Sequence, residues 1–346
     1  MIKCVVWDID NTLLDGIYLE STEQPPDPDQ ELLAVLHTLS GRGILHALAT
    51  RNPAEAVDYV QRATGVRFAA AECGWDSKAD AIGRIADELS LGTDSLAFID
   101  DDMLERAEVA AALPQVLVLT PEDAIHAPDW PDFSPDVVTS EGRRRADMYA
   151  ARQRRQAEAA SFGGSRDEFL RRVGTRIVIG LATQEDLPRL RELSVRTHQL
   201  NSADVPLTEQ ELGTLTGSAE HMLVIVALAD DFGDDGLVGG AIVERNGFRP
   251  WLVPVVMMSC RALGRGVLDA LLAWMCLVAA NGGAPELAVP CLVSERNLPM
   301  RLALAAAGLR AAGGETSPDG RAIFKRSLEG GLPELPDWVH DATGLR

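Results

Sequence analysis

Asp8 and Asp10 stand two residues apart directly after the apolar run Val5, Val6 and Trp7, in the order Asp8-Ile9-Asp10-Asn11-Thr12. Two carboxylates just past a buried strand can handle phosphate. The first can attack phosphorus once a divalent cation neutralises the oxygens around it, and the second can protonate the oxygen that leaves. A second apolar run, Ile44 to Leu48, ends in Thr50, Arg51 and Asn52, and a third, Ser95 to Ile99, ends in Asp100, Asp101 and Asp102. Lys78 follows Gly74-Trp75-Asp76-Ser77. Polar strand ends also suit any open α/β sheet, whose ligands gather at the carboxyl ends of its strands whatever the chemistry.

In this order the residues resemble the HAD phosphatase superfamily. The resemblance implies Asp8 as nucleophile and Asp10 as acid/base. It also implies that the Thr50 hydroxyl rests on the phosphate and that Lys78 holds nucleophile and phosphate together. Mg²⁺ would be held by Asp8, Asp10, Asp100 and Asp101, with Asn11, Thr12, Arg51 and Asn52 around the substrate. The stretch from Thr50 to Lys78 is too short for an inserted cap domain.

The elements that must position these groups follow from patterning. Apolar runs alternate with helical patterns at Asp29 to Leu39, Ala54 to Ala63 and Ala79 to Leu89, which predicts a parallel sheet covered by helices over residues 1–125. At 346 residues a second domain is expected. Residues 126–174 read as a proline-bearing linker followed by a helix from Gly142 to Ala160 that carries Arg143, Arg144, Arg145, Arg152, Arg154 and Arg155. Such a helix can dock an acidic partner or can simply be a solvated connection. A net charge of −20 argues against nucleic acid as a partner. No apolar stretch reaches the roughly 20 residues that span a bilayer, and no signal-peptide pattern precedes the first strand, so a cytoplasmic location is expected. Cys4, Cys73, Cys260, Cys276 and Cys291 lack the spacing of a zinc site or a disulfide framework.

Residues 175–330 open a second pattern: strand Arg176 to Leu181, helix Glu185 to Thr197, strands Met222 to Leu228, Gly236 to Glu244 and Trp251 to Ser259, then helix Gly266 to Ala280. Pro254 within a strand predicts an edge or a bulge. Between the last strand and helix lies Arg261-Ala262-Leu263-Gly264-Arg265-Gly266, whose glycines let backbone approach an anion at a helix start. The order resembles a GNAT acyltransferase domain, in which this loop holds the pyrophosphate of coenzyme A. Cys260, beside Arg261, Arg265 and the helix start, is expected to be a low-pKa nucleophile; equally, a strand-end cysteine can be a small buried hydrophobe. Cys73, near Lys78, is its competitor as acyl carrier. Residues 331–346, with Pro333 and Pro336, read as a loosely packed tail.

A further resemblance spans nearly the whole chain. Asp8 to Thr12, Gly74 to Lys78, Phe98-Ile99-Asp100-Asp101 with Glu105-Arg106-Ala107-Glu108-Val109, Arg196-Thr197-His198-Gln199-Leu200-Asn201 and Met258-Ser259-Cys260-Arg261 look like the FkbH-like branch of the HAD superfamily, which joins a HAD to a GNAT-like domain. Leu14 and Thr50-Arg51-Asn52-Pro53 depart from its usual residues. The resemblance implies that 1,3-bisphosphoglycerate loses its phosphates and that a glyceryl group passes through an enzyme thioester to the phosphopantetheine thiol of an acyl carrier protein. His198 would serve as base and Gln199 as a carbonyl hydrogen-bond donor. Asn201 and Asn297 would orient substrate, with Arg261, Gly264 and Gly266 in the anion loop. Two rival readings are a HAD phosphatase joined to a coenzyme A-dependent N-acetyltransferase, and a second domain that only docks a carrier protein.

Overall fold

Along β1 (Cys4–Trp7), Cys4 and Val6 turn to one face and Val5 and Trp7 to the other, and all four are fully buried. A strand buried on both faces belongs inside a sheet covered on both sides. The computed structural model, which describes residues 1–20, 24–135 and 144–345, has β1 at the centre of a five-stranded sheet. It pairs in parallel with β2 (Leu45–Thr50) and β4 (Leu96–Ile99); β3 (Ala70–Cys73) lies outside β2 and β5 (Leu117–Leu119) outside β4, both parallel. Helices α1 (Gln30–Gly41), α2 (Ala54–Thr64) and α5 (Pro121–His126) cover the Trp7 face, where Trp7 Nε1–H donates to His46 Nδ1 at 3.0 Å. Helices α3 (Lys78–Leu89) and α4 (Met103–Ala112) and the start of α6 (Arg145–Ser161) cover the other. Because the chain lays down β1, β2 and β3 in one direction and then returns to β4 on the opposite side of β1, the carboxyl ends of β1 and β4 flank the crevice of a doubly wound sheet. Only α2 and β3 occupy the stretch between Thr50 and Lys78, so no cap is inserted there.

The chain divides into two compact units, Met1–Gln153 and Arg154–Arg346. The segment expected to link them does something else: Ala127 and Phe133 are fully buried in the first unit's core, and Ile2 N–H donates to Asp132 O at 2.8 Å.

The second unit is an eight-stranded mixed sheet, in spatial order β11 (Arg310–Thr316), β12 (Ala322–Ser327), β10 (Glu286–Cys291), β9 (Trp251–Met258), β8 (Gly233–Glu244), β7 (His221–Asp230), β6 (Arg176–Leu181) and β13 (Val339–Asp341). One face packs α10 (Val267–Asn281), α11 (Leu298–Ala306) and α7 (Arg166–Arg172); the other packs α8 (Leu187–Arg196) and α9 (Glu209–Leu215). Pro254 sits at a bulge, where the β8–β9 register shifts between Ile242 and Glu244. That extra residue switches the alternation, so Trp251, Val253, Val256 and Met258 all reach the α10 face.

β9 and β10 are parallel but share only Trp251 with Leu287 and Leu252 with Ala288. Beyond that the edge of β9 takes the segment Leu200, Asn201 and Ser202. Met258 N–H donates to Leu200 O at 2.8 Å, Ser202 N–H to Val256 O at 2.9 Å, and Val256 N–H to Ser202 Oγ at 2.9 Å. The expected loose tail instead holds β13, which pairs in parallel with β6 and buries Trp338 and Val339.

The arginine-clad helix is also corrected. Arg143 lies outside the described residues, and Arg152 donates to Ser90 Oγ at 2.8 Å. Arg155 is buried against Asp230, and Asp230 and Asp235 in turn both bind Arg265. Two buried cations balanced by two buried anions tolerate no reversal. Arg155→Glu should therefore cost the second unit about 3–5 kcal/mol, seen in calorimetry as an earlier transition. The exposed Arg154→Glu should change stability by less than about 0.5 kcal/mol.

Candidate active site

Asp8 follows β1 directly, and its N–H donates to Ile99 O at 2.9 Å, which fixes the end of β1 beside the end of β4. One carboxylate oxygen each from Asp8, Asp100 and Asp101 lie within 4.8 Å of one another. Asp100 is buried; its Oδ1 accepts from Asp102 N–H at 2.8 Å, while its Oδ2 has no hydrogen-bond partner among the described residues. Lys78, the first residue of α3 after the Ser77 cap, is 4 % exposed. Its ammonium donates to Asp8 Oδ1 at 2.5 Å and to Ala49 O at 2.6 Å, and lies 3.3 Å from Asp100 and 3.4 Å from Glu105. Arg51 reaches Glu105 at 2.5 Å and lies over the Trp75 ring, its guanidinium carbon 5.6 Å from the centroid.

Four carboxylates, Asp8, Asp100, Asp101 and Glu105, thus face two cations, Lys78 and Arg51. Burial, the larger effect, pushes Asp8 up to about 6 against the pull of Lys78, and burial followed by the neighbouring Asp8 pushes Asp100 up to about 7. Burial alone would lower Lys78, but Asp8, Asp100 and Glu105 together hold it above its ordinary value. A surplus of hard oxygen donors, one of them buried without a hydrogen bond, is the donor set that Mg²⁺ takes. Asp8, Asp100 and Asp101 would hold it. Asp10 stands apart from that group: its Oδ1 accepts from Tyr18 N–H at 2.8 Å and its Oδ2 from Asn52 Nδ2 at 2.9 Å. Thr50 Oγ1 accepts both the N–H and the Nδ2 of Asn52 at 3.1 Å, so its own hydrogen is left to point at an anion. Asn52, 2 % exposed, links Asp10 to Thr50 rather than facing solvent. Thr12 is buried, and the N–H of Asn11, at φ 48°, donates to Gly16 O at 3.0 Å.

Glu105 and Trp75 received no role from sequence. The signal for Glu105 was its place in the first turn of α4, three residues after the Asp102 cap, where a side chain turns back toward the strand end.

In the second unit the anion loop forms with Gly264 and Gly266 at φ 75° and 72°, conformations that favour glycine. The loop's two arginines are both buried and bind the protein's own side chains. Arg265 is buried between Asp230 and Asp235, and Arg261, 5 % exposed, directs Nε–H to Ser259 Oγ at 3.3 Å. Arg166 lies on the loop instead, donating to Gly264 O at 3.1 Å, with Asp269 3.3 Å from its guanidinium. Asn201 and Asn297, expected to orient substrate, are wholly buried. Asn201 Oδ1 accepts from Ala203 and Asp204 N–H at 3.0 and 2.9 Å, and Asn297 binds Leu292 O and Ser294 N–H. Both shape loops. Gln199 is exposed, and His198 Nδ1 lies 2.7 Å from Asp204 Oδ1. Cys260 is half-buried and opens the 3-10 turn Cys260–Ala262, separated from the end of β9 by Ser259. Cys73 is exposed at the end of β3, its thiol pushed up by burial of its sulfur and by Glu72 and Glu55.

No family model matches the chain, and neither does any curated protein. Among solved structures, 36 % of the chain is similar at 27 % identity to the N-terminal, phosphatase-domain part of a Bacteroides fragilis protein complexed with Mg; the match spans 38 % of that chain, with a TM-score of 0.33. An N-acetyltransferase from Staphylococcus aureus Mu50 is similar over 44 % of this chain and 99 % of its own, at 18 % identity and a TM-score of 0.33. The ribosomal-protein-S18-alanine N-acetyltransferase from Escherichia coli is similar over 46 % and 99 %, at 15 % identity and a TM-score of 0.32. No helix among the described residues is long and apolar enough to cross a membrane.

The raised carboxyls set a pH dependence. In the metal-free fold Asp100 keeps its proton up to about 7, whereas in the unfolded chain it ionises near 3.9. Its contribution is therefore full below that unfolded value and is lost as pH rises through about 7. In chelator, melting temperature should fall between pH 5 and pH 8, and Asp100→Asn should make that fall smaller by on the order of 5 °C, the rest belonging to Asp8. Mg²⁺ binds the ionised form, so adding it should restore the loss at pH 8.

Proposed function

We propose that the chain is a Mg²⁺-dependent glyceryl transferase of the FkbH-like type, which takes the phosphates from 1,3-bisphosphoglycerate and loads the glyceryl group onto the phosphopantetheine thiol of an acyl carrier protein. The observation that carries the phosphatase half is the convergence of Asp8, Asp100 and Asp101, with the buried ammonium of Lys78 paired to the first two. Bound Mg²⁺ supplies charge neutralisation between the nucleophile and the phosphoryl oxygens.

The two phosphates need different chemistry. At C1 the acyl phosphate is already activated: the Cys260 thiolate forms a C–S bond, the C–O bond to phosphate breaks, and phosphate leaves with the electron pair. At C3 the ester is inert. Asp8 Oδ forms a bond to phosphorus while the P–O bond to the glyceryl carbon oxygen breaks, and a proton from Asp10 reaches that oxygen. Lys78 and the Thr50 hydroxyl hold the transferring oxygens. Water, giving its proton back to Asp10, then releases phosphate from Asp8. Finally the pantetheine sulfur attacks the glyceryl carbonyl and the C–S bond to Cys260 breaks. Cys260 lies beyond the part of β9 that Leu200 to Ser202 cover, so an arm has only to reach the strand end. Dependence on a reduced thiol suits a cytoplasmic setting.

Two observations weigh against the coenzyme A reading: the open edge of β9 is taken by the chain's own backbone, and Arg261 and Arg265 are turned inward. The test uses the purified protein with 1,3-bisphosphoglycerate and Mg²⁺. Asp8→Asn should slow release of the C3 phosphate by about 10³-fold or more, with a hydroxylamine-labile adduct still forming on the Cys260 peptide. Undiminished phosphate release would remove Asp8 from the chemistry. No adduct on any cysteine, with acetyl transfer from acetyl coenzyme A, would replace the glyceryl reading.

A further inference from the structure

Arg51 and Trp75 leave neighbouring strand ends together. Thr50 and Cys73 are the last paired residues of β2 and β3, and Gly74 N–H donates to Thr50 O at 3.0 Å. The next residue on each strand therefore emerges beside the other, which is how the Arg51 guanidinium comes to lie 5.6 Å from the centre of the Trp75 ring. From the other side Arg51 is held by Glu105. One oxygen of that carboxylate lies 2.5 Å from Arg51 and the other 3.4 Å from the Lys78 ammonium, which pairs in turn with Asp8. Arg51 thus stands one carboxylate's width beyond Lys78.

That step outward is also a step into solvent. Lys78 and Glu105 are buried, whereas the Arg51 side chain is 49 % exposed and Trp75 is 77 % exposed. The phosphoryl group that Asp8 attacks is served at depth, by Lys78, by the Thr50 hydroxyl and by the cation that Asp8, Asp100 and Asp101 would hold. Arg51 is placed for something nearer the mouth. Among the described residues Glu105 is its only polar partner, met through one nitrogen of a planar group that carries five N–H donors.

A substrate whose far end is also anionic enters a pocket in which carboxylates outnumber cations. It is repelled unless a cation meets that end. A guanidinium is matched in shape to a carboxylate or a phosphate, and stacking on an indole ring fixes its plane before the substrate arrives. A phosphate ester with a neutral far end gains nothing from it.

We propose that Arg51 is a specificity-determining residue, held by Glu105 and Trp75 at the mouth of the pocket, and that it selects small phosphate esters whose other end carries a second anion. This rests on the phosphatase half of the reading above, not on the route of the acyl group.

The test gives the purified protein, with Mg²⁺, two esters of the same length: 3-phosphoglycerate, which ends in a carboxylate, and glycerol 3-phosphate, which ends in a hydroxyl. Phosphate release from both should need Asp8. The wild type should favour 3-phosphoglycerate in kcat/KM by about tenfold or more. Arg51→Ala should erase most of that ratio, chiefly through KM, because the contact lies away from the reacting phosphorus and is made equally before and during the reaction. Arg51→Lys should keep part of it, as a point charge without the fork. Trp75→Ala should shrink the ratio by less, and should shrink it no further in the Arg51→Ala background. A wild-type ratio near one, or an equal loss on both esters in Arg51→Ala, would overturn the proposal and leave Asp8 as the nucleophile. The ratio and its loss, without an adduct on any cysteine from 1,3-bisphosphoglycerate, would keep Arg51 in this role and remove the glyceryl reading. No Asp8-dependent release from either ester would remove both.

Discussion

The ammonium of Lys78 is the point on which the first unit turns. It is almost wholly buried, which is unfavourable for a cation unless anions surround it, and three of the carboxylates that surround it come from two different strand ends and a helix. Those anions would in turn repel one another without it. The arrangement is therefore mutual: Asp8 and Asp100 sit close because Lys78 lies between them, and Lys78 stays charged because they do. The carboxylates of the pocket still outnumber its cations. That residual field favours a divalent cation and an incoming group that arrives with its own counterion, which is the condition of a phosphoryl-transfer site.

The second unit obeys a different constraint. Two parallel strands that part company leave an edge of backbone donors and acceptors that cannot stay bare inside a protein. Leu200 to Ser202 satisfy that edge, and Ser202 closes it on both sides by also accepting Leu292 N–H at 2.8 Å.

Much of this was legible in the residues. The central strands of the first sheet showed as apolar runs because they are buried on both faces, and the polar residues just past them marked the crevice. Pro254 announced a bulge and one is found. What did not show were features that depend on distant partners. Arg155 and Arg265 look like surface charges until Asp230 and Asp235 meet them, and an arginine's sequence neighbours carry no sign of that. Asn201 and Asn297 look like ligand-binding amides because nothing local reveals that their own loops take up both ends of the side chain. Trp338 and Val339, in a stretch rich in proline and glycine, looked unanchored for the same reason.

The strand β13 has a bearing on how the molecule is made. It pairs Ile177 with Val339, residues near opposite ends of the second unit. Such a closure brings together parts of the chain with the longest loop between them, the slowest kind of contact to form. During synthesis the first unit holds everything it needs once α6 has emerged, whereas β6 waits with one edge bare until the last strand appears. For that interval the nascent chain carries a finished first unit and an exposed strand edge, and the edge is where a chaperone has most to protect.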